Sequence, residues 1–471
     1  MSAPFQTTIE QQPGLPQPRR SWAIAALSLG TALTIVDGAI ATVALPTIAR
    51  DLHVDASASV LVVTVYQLVL VMMLLPCSGL GDRIGLKRFY QYGQLLFTVA
   101  TMLCFFAKSL PFLLAVRALQ ALGAAATLSM MAAMVRNIYP TRQLGRGLAL
   151  NGVIASIAGA LAPTVGGLIL SAASWPWVFT AAAPFGVLSL WIGWRSLPDV
   201  PAIKGAYNLG GALLNMATFG LIVAGLESAV HGGPPLIAAA VIATGVGFAI
   251  WFVRYELAEE RPILPLDLLA NPVISLSIAG SFLAFSATMI MSLSLPFRLQ
   301  HFYGFSPSEV GAVLTPMPLT MMVMLPLSGM LSDRMRPGIQ GGIGMSVMIV
   351  GLLLVAFPPA HPGFLDFAWR MILCGIGFAL YMPANTRLVI RMTPHHRATA
   401  AGGLISTVRL TGQTVGATMV ATFLALGLGN TAVPVLVAAV FGVFAGVFSV
   451  SRLRIMPARS GQAMPVELPE L

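Results

Sequence analysis

Five charged side chains stand inside long apolar runs of this sequence: Asp37, Arg117, Glu227, Arg370 and Arg409. Only 9% of the 471 residues are charged and 57% are hydrophobic, so these five break the chain's own pattern. A charge at the middle of a bilayer costs at least about 2.5–3.5 kcal/mol, which makes each of them a functional candidate. Asp37 falls 15 residues after Trp22, about 22 Å along a helix, and Arg117 falls six after Pro111, about 9 Å along. If the two helices run in opposite directions across roughly 30 Å of hydrocarbon, these depths nearly coincide. Acid and base can then meet directly, through water, or through Gln120. Desolvation and a neighbouring cation act on a carboxyl's proton affinity in opposite senses, so a change in either one drives proton uptake or release. The plainer alternative is a static ion pair that ties two helices together.

The other three charges differ in depth. Arg409 lies ten residues into its run, about 15 Å deep and too far for an interfacial anchor. Glu227 closes its run near a surface, where a solvated helix-end carboxylate is the simple reading. Arg370 follows Asp366 by four residues, a spacing that permits a local helix pair. Tyr66, Gln67, Asn151, Asn385 and Gln413 also interrupt apolar segments, facing either a cavity or a neighbouring helix through hydrogen bonds worth about 0.6 kcal/mol each. Methionines such as Met72, Met73, Met130 and Met131 suit an adaptable pocket or ordinary packing. The sequence has no HExxH, GxSxG, Walker or dinucleotide fingerprint. Its six histidines, the His395–His396 pair included, and its three cysteines, Cys77, Cys104 and Cys374, show no metal-ligand spacing. An enzyme or a metal centre is therefore not expected.

The elements that must hold these residues are helices. Fourteen apolar runs span approximately 22–46, 58–79, 89–108, 111–135, 146–171, 176–196, 209–229, 235–255, 272–297, 308–331, 339–358, 365–386, 399–425 and 431–452, each near the length a bilayer requires. None shows the two-residue alternation of a β-barrel strand. With the N-terminus inside, 20 of the 26 Lys and Arg fall on the inner side, Arg452 and Arg454 among them. Only Arg50, Lys108 and Arg298 fall outside, as cytoplasmic loops demand. The net charge of +10 is thus a record of topology and not a footprint for nucleic acid. No cleavable signal peptide is evident, and the Pro/Gln-rich first 20 residues are expected to be disordered.

Half of the chain echoes the other half. LPCSG at Leu75 returns as LPLSG at Leu325, followed in each case by Asp-Arg, at 82–83 and 333–334. TVG at 164–166 returns at 414–416, and Ser156 at Ser406. Such matches at one offset indicate duplication. They divide the chain into a cytoplasmic N-terminus (1–20), a six-helix bundle (21–200), two inserted helices (205–260), a second six-helix bundle (270–454) and a cytoplasmic tail (455–471).

In this frame LPCSGLGDRIGLKRF is the turn between the second and third helices. Its motif residues Asp82, Arg83, Gly85, Lys87 and Arg88 lie at the inner face, where anionic lipid attracts the basic ones. Glycine permits the tight turn, and Asp82 is placed to meet a helix N-terminus or a basic group of the other half.

These residues resemble a known family. GDRIGLKR is similar to the loop signature of the major facilitator superfamily, and RALQALG to its fourth-helix motif. VDGAIATVALP resembles the first-helix motif of the fourteen-helix drug/proton antiporter branch. APTVGG, with Pro163, Gly166 and Gly167, resembles the fifth-helix antiporter motif. Ala39, Thr42, Ser78 and Ala162 stand where the patterns usually have Thr, Asn, Gly and Gly. The resemblance implies an all-α integral membrane protein with the major-facilitator fold, 6+2+6 helices and rocking halves. It implies export of hydrophobic or amphipathic compounds in exchange for protons, with Asp37, Arg117, Glu227 and Arg409 at the proton or substrate site. It also implies that Asp82 latches an inner gate. The expected protein is a monomer of the bacterial inner membrane with both termini in the cytoplasm. It would use a proton gradient and no bound cofactor, its partners being a lipophilic small molecule, protons and lipid. A dedicated metabolite transporter of the same fold is the first alternative, and a membrane sensor or scaffold the second.

Overall fold

The computed structural model describes residues 14–140, 143–200, 202, 207–259, 264–394 and 398–455. The segments 1–13 and 456–471, the His395–His396 pair, Arg142, Lys204, Arg261, Arg397 and Arg459 lie outside the described residues. Within them, the regular structure is helical. That is the expected solution for a chain whose runs are apolar on every face, because a helix satisfies its own backbone in hydrocarbon. The helices are α1 (Arg19–Asp51), α2 (Ala56–Ile84), α3 (Leu86–Leu103), α4 (Leu110–Ile138), α5 (Leu144–Ala172), α6 (Pro176–Thr180), α7 (Ala183–Ser196), α8 (Leu209–Val230) and α9 (Pro235–Ala258). There follow α10 (Pro272–His301), α11 (Pro307–Leu314), α12 (Pro316–Arg334), α13 (Pro337–Ala356), α14 (Phe364–Met392), α15 (Ala398–Ala425) and α16 (Val433–Ile455). The pairs α6–α7 and α11–α12 are each one broken span, the second interrupted at Thr315 where Pro316 and Pro318 remove backbone donors. Among the described residues, twelve spans are long and apolar enough to cross a bilayer. Helices α5 and α15 have 29 and 28 residues.

Two bundles result. In the first, α1 packs on α2, α5 and α7, and α4 on α2 and α3; in the second, α10 packs on α14, α15 and α16, and α13 on α14 and α16. The bundles meet mainly along two seams, α2 against α15 and α5 against α11 and α12, with a smaller contact of α1 on α10. The pair α8–α9 leans on α2 and α15. Its attachment has a local cause. Pro76 has no N–H, which frees the carbonyl of Met72 four residues earlier. The Asn215 amide of α8 donates to that carbonyl at 2.8 Å, and Tyr207 donates to the Pro76 carbonyl at 3.1 Å.

Two expectations are corrected. Disorder does not extend to residue 20: the Leu15 N–H donates to Ile138 O at 3.0 Å, and α1 begins at Arg19. Arg19 donates to Ser196 O and Leu197 O at the end of α7, at 3.0 and 3.1 Å. Orphan carbonyls at a helix C-terminus attract a cation, and this fastens a segment whose composition alone reads as loose. Nor is Arg452 a loop cation. It is buried inside the second bundle, 1% exposed, because neutral acceptors there match its guanidinium: Ser277 Oγ at 2.7 Å, Asn385 Oδ1 at 2.5 Å and Ser449 Oγ at 2.7 Å.

Candidate functional site

Asp37 and Arg117 meet. A guanidinium Nη1 of α4 donates to the Asp37 carboxylate of α1 at 2.6 Å, with both side chains essentially without solvent exposure. Gln120, one turn along α4, closes a triangle: its amide donates to the other carboxylate oxygen at 2.8 Å and its carbonyl accepts from Arg117 at 2.7 Å. Thr101 of α3 accepts the second amide proton at 2.9 Å, and Arg117 Nε donates to the Val62 carbonyl of α2 at 3.2 Å. The guanidinium lies over the rings of Tyr66 and Phe179, with centroids 4.2 and 5.0 Å away. A desolvated ion pair survives only with such additional hydrogen bonds, and a flat cation gains from aromatic faces. One group is left over: Arg117 Nη2 is buried without a partner among the described residues. Protonating Asp37 would cancel the counter-charge of Arg117, whose other acceptors are the Gln120 carbonyl and Val62 O. The pair joins α1 to α4 through one buried carboxylate.

Arg409 lies on a different surface. Successive residues of a helix are about 100° apart, which sorts α15 into faces. Gly412 and Gly416 press on α10, where an added Cβ would meet Phe282 O at 2.6 Å and Ser286 O at 2.8 Å. Gly403 lies against Leu75 of α2, and Leu410 is buried among Leu33, Tyr66 and Leu70 of the first bundle. Leu404, Thr407, Val408 and Thr411 line a lateral groove of about 540 Å³ beside Phe219 of α8 and Phe282 of α10. The remaining sector, Gly402, Ser406, Arg409 and Gln413, points between α10 and α2 toward the space between the bundles, and its residues are only partly buried. A Cβ at Gly402 would meet nothing within 4 Å. Neither Arg409 nor Gln413 has a hydrogen bond or ion pair to any described residue.

Glu227 is more than a solvated helix end. Its carboxylate on α8 accepts from Thr418 of α15 at 2.8 Å, with the Thr64 hydroxyl of α2 beside it. The inserted helix thereby touches both bundles at one carboxylate, and His231 stands 3.6 Å away. Tyr66 donates to Thr34 O at 3.3 Å. Gln67 and Asn151 are buried, each with an amide oxygen that lacks a donor among the described residues. Asn385, read as facing either a cavity or a neighbouring helix, makes interhelical hydrogen bonds: its amide donates to Ser277 O and Ser281 Oγ at 2.9 and 2.6 Å, and its oxygen accepts from Arg452. Arg370 donates to the Asp366 carbonyl, while the Asp366 carboxylate caps Gly363 at 2.8 Å. Thr101, Phe179, Thr418 and Arg452 escape a sequence reading. The first three are ordinary residue types, and Arg452 stands with Arg454 at the end of an apolar run.

The antiporter-like segment of α5 forms the seam with α11 and α12. A Cβ on Gly311 of α11 would lie 2.4 Å from Pro163 O, and one on Gly167 would lie 2.8 Å from Pro307 O. Thr164 and Thr315 share a short hydrogen bond beside it, and Gly166 abuts Ile40. At the opposite end Gly85 alone separates α2 from α3, with φ +99°, a backbone that glycine tolerates best. Asp82, Arg83 and Arg88 are exposed there, Lys87 is partly buried, and Asp82 has no partner among the described residues. No group of three His, Cys, Asp or Glu among the described residues could hold a metal ion.

Two bundles joined by close-packed seams, with a charged pair inside one of them, define a membrane transporter. The chain matches the Major Facilitator Superfamily over residues 27–417 and again over 276–464, and it belongs to that family. It is 41% identical over 453 residues, 96% of this chain and 99% of the relative, to the uncharacterized transporter YebQ of Escherichia coli. It is 26% identical to the riboflavin transporter RibZ of Clostridioides difficile, covering 85% of this chain and 88% of that one. It is 28% identical to the multidrug efflux pump LfrA of Mycolicibacterium smegmatis, covering 91% and 86%. In fold it is similar to an inward-facing bacterial homolog of the human lysosomal transporter Spinster, with a TM-score of 0.70 at 17% identity over 95% of this chain and 100% of that one. This is a multi-span membrane protein of the transporter class.

Proposed function

We propose that this chain is a proton-coupled antiporter that exports hydrophobic or amphipathic compounds across the inner membrane by alternating access. The observation that carries the reading is the Asp37–Arg117–Gln120 triangle, a titratable carboxyl sealed in one bundle with its counter-charge on a second helix. Because Asp37 is buried, its proton exchanges with water only when the helices move. That requirement is what couples a proton to a conformational cycle. Helices α5 and α15, at roughly 43 Å each by length, also cross, which gives fourteen spans, both termini in the cytoplasm and a 6+2+6 plan. The energy comes from the proton gradient, with no bound cofactor, and one copy of the chain completes the pathway.

The relatives named for multidrug efflux support this substrate class, and the 540 Å³ groove has the size of a drug pocket. A riboflavin-transporting relative supports a second reading, a dedicated exporter of one metabolite. Everted vesicles with a preformed interior-acid gradient separate the two. Release of the gradient by several unrelated lipophilic compounds supports drug efflux, and release by one metabolite alone supports the dedicated exporter. No release by any compound contradicts proton exchange.

A further inference from the structure

We propose that Arg409 is the recognition point for an anionic group, so that the transported class is amphipathic organic anions: an apolar body carrying a carboxylate, sulfonate or phosphate. The inference rests on the transport reading above and deepens it by naming a substrate chemistry. Arg409 stands near the middle of α15, 11 residues from its start at Ala398, and a cation at that depth is retained only for a purpose. Neither acid that stands in an apolar run of the sequence pairs with it. Asp37 is held by Arg117 and Gln120, and Glu227 by Thr418 beside His231.

Arg409 Nε is buried with no acceptor, and the guanidinium has no hydrogen bond or ion pair to a described residue. Arg452 provides the internal contrast. Buried in the same bundle without an acid, it is surrounded by Ser277, Asn385 and Ser449 as acceptors. The fold therefore satisfies an arginine when the arginine is structural. It leaves Arg409 unsatisfied on the one sector of α15 that faces the space between the bundles, with Gln413 one turn away as a further uncommitted donor and open room at Gly402. A guanidinium fork matches a carboxylate or phosphate in two parallel hydrogen bonds. A bound anion would supply the missing charge and acceptors together.

The test is binding by the purified full chain in detergent, using three ligands with one ring system: 2-naphthoate, 2-naphthamide and 2-naphthylmethylammonium. Calorimetry should show naphthoate binding at least tenfold tighter than the amide. Arg409→Gln should weaken naphthoate at least tenfold, leave the amide within threefold and strengthen the ammonium ligand. Arg409→Lys should keep most of the naphthoate preference, and it serves as the comparison if Arg409→Gln does not fold. Naphthoate that fails to bind, binds no tighter than the amide, or is indifferent to Arg409→Gln overturns the assignment. Binding needs no gradient, so intact naphthoate selectivity together with absent proton exchange would strike the coupling reading alone.

Discussion

Asp37 and Arg117 are legible in the sequence because an apolar run makes each charge conspicuous and helix rise converts spacing into depth. What spacing cannot supply is the rest of the shell: the Val62 carbonyl, Thr101, and the two rings around the guanidinium. These are set by how five helices, α1, α2, α3, α4 and α6, rotate against one another. Asn385 shows the same limit from the other side. A buried amide reads equally well as a cavity wall or an internal acceptor, and here it is the acceptor for Arg452. Asn385→Leu should therefore act on stability. Losing a hydrogen bond to a charged group costs about 1.5–3 kcal/mol, so thermal unfolding in detergent should shift down by several degrees while the ligand preference of the folded protein is unchanged. Loss of selectivity at full stability would return Asn385 to the cavity. Glu227→Gln is the other informative residue change. It keeps an acceptor for Thr418 but removes the charge facing His231, so a pH dependence of transport caused by that pair should flatten, measured as rate against external pH.

Among the elements, the α5–α11 seam is the clearest mechanical feature. Gly166 and Gly167 are recognisable in sequence as sites of close approach, but their partner is not, since nothing local says that α5 meets α11. The contact leaves no room for a side chain at Gly311, so Gly311→Leu must push the helices apart at the outer end. Labelling provides the measurement. Cys77, Cys104 and Cys374 are all buried, so a cysteine introduced at Thr315 would report with little background. In the otherwise unaltered chain it should react slowly with a membrane-impermeant maleimide applied from outside. In the Gly311→Leu background it should react at least severalfold faster, and equal rates would show that the seam is not a gate. The break between α2 and α3 is readable because a four-charge stretch between greasy runs marks an end of the apolar spans, although the four charges themselves lie in the last turn of α2 and the first turn of α3. Its extreme brevity is not, because one residue at φ +99° replaces the loop.

At the scale of the whole molecule the two ends of the seam differ. The end that the proposed topology places outside is closed backbone to backbone at Pro163, Gly167 and Gly311. At the inner end Asp82 has no partner among the described residues, and Gly402 faces open space. An inner latch built on Asp82 would form in the opposite state, with the cytoplasmic side shut. Asp82→Ala should cut transport severalfold without loss of folded protein, and unchanged transport would remove the latch from the cycle. That the chain folds into many membrane-length helices is visible in sequence because length and apolarity are whole-chain properties. The role of α8–α9 is not: the carbonyl freed by Pro76 and the carboxylate of Glu227 bind the inserted pair to both bundles only once the chain is folded. Proton exchange through Asp37 can be read in a reconstituted system. The purified chain is reconstituted in liposomes carrying an internal pH dye, a transported compound is added under an imposed gradient, and proton flux is followed. The native chain is compared with Asp37→Asn, which keeps the shape of the Gln120 contact but removes the charge. Substrate-triggered proton flux in the native protein that vanishes in folded Asp37→Asn is the expected result. Equal proton flux in both would contradict the account.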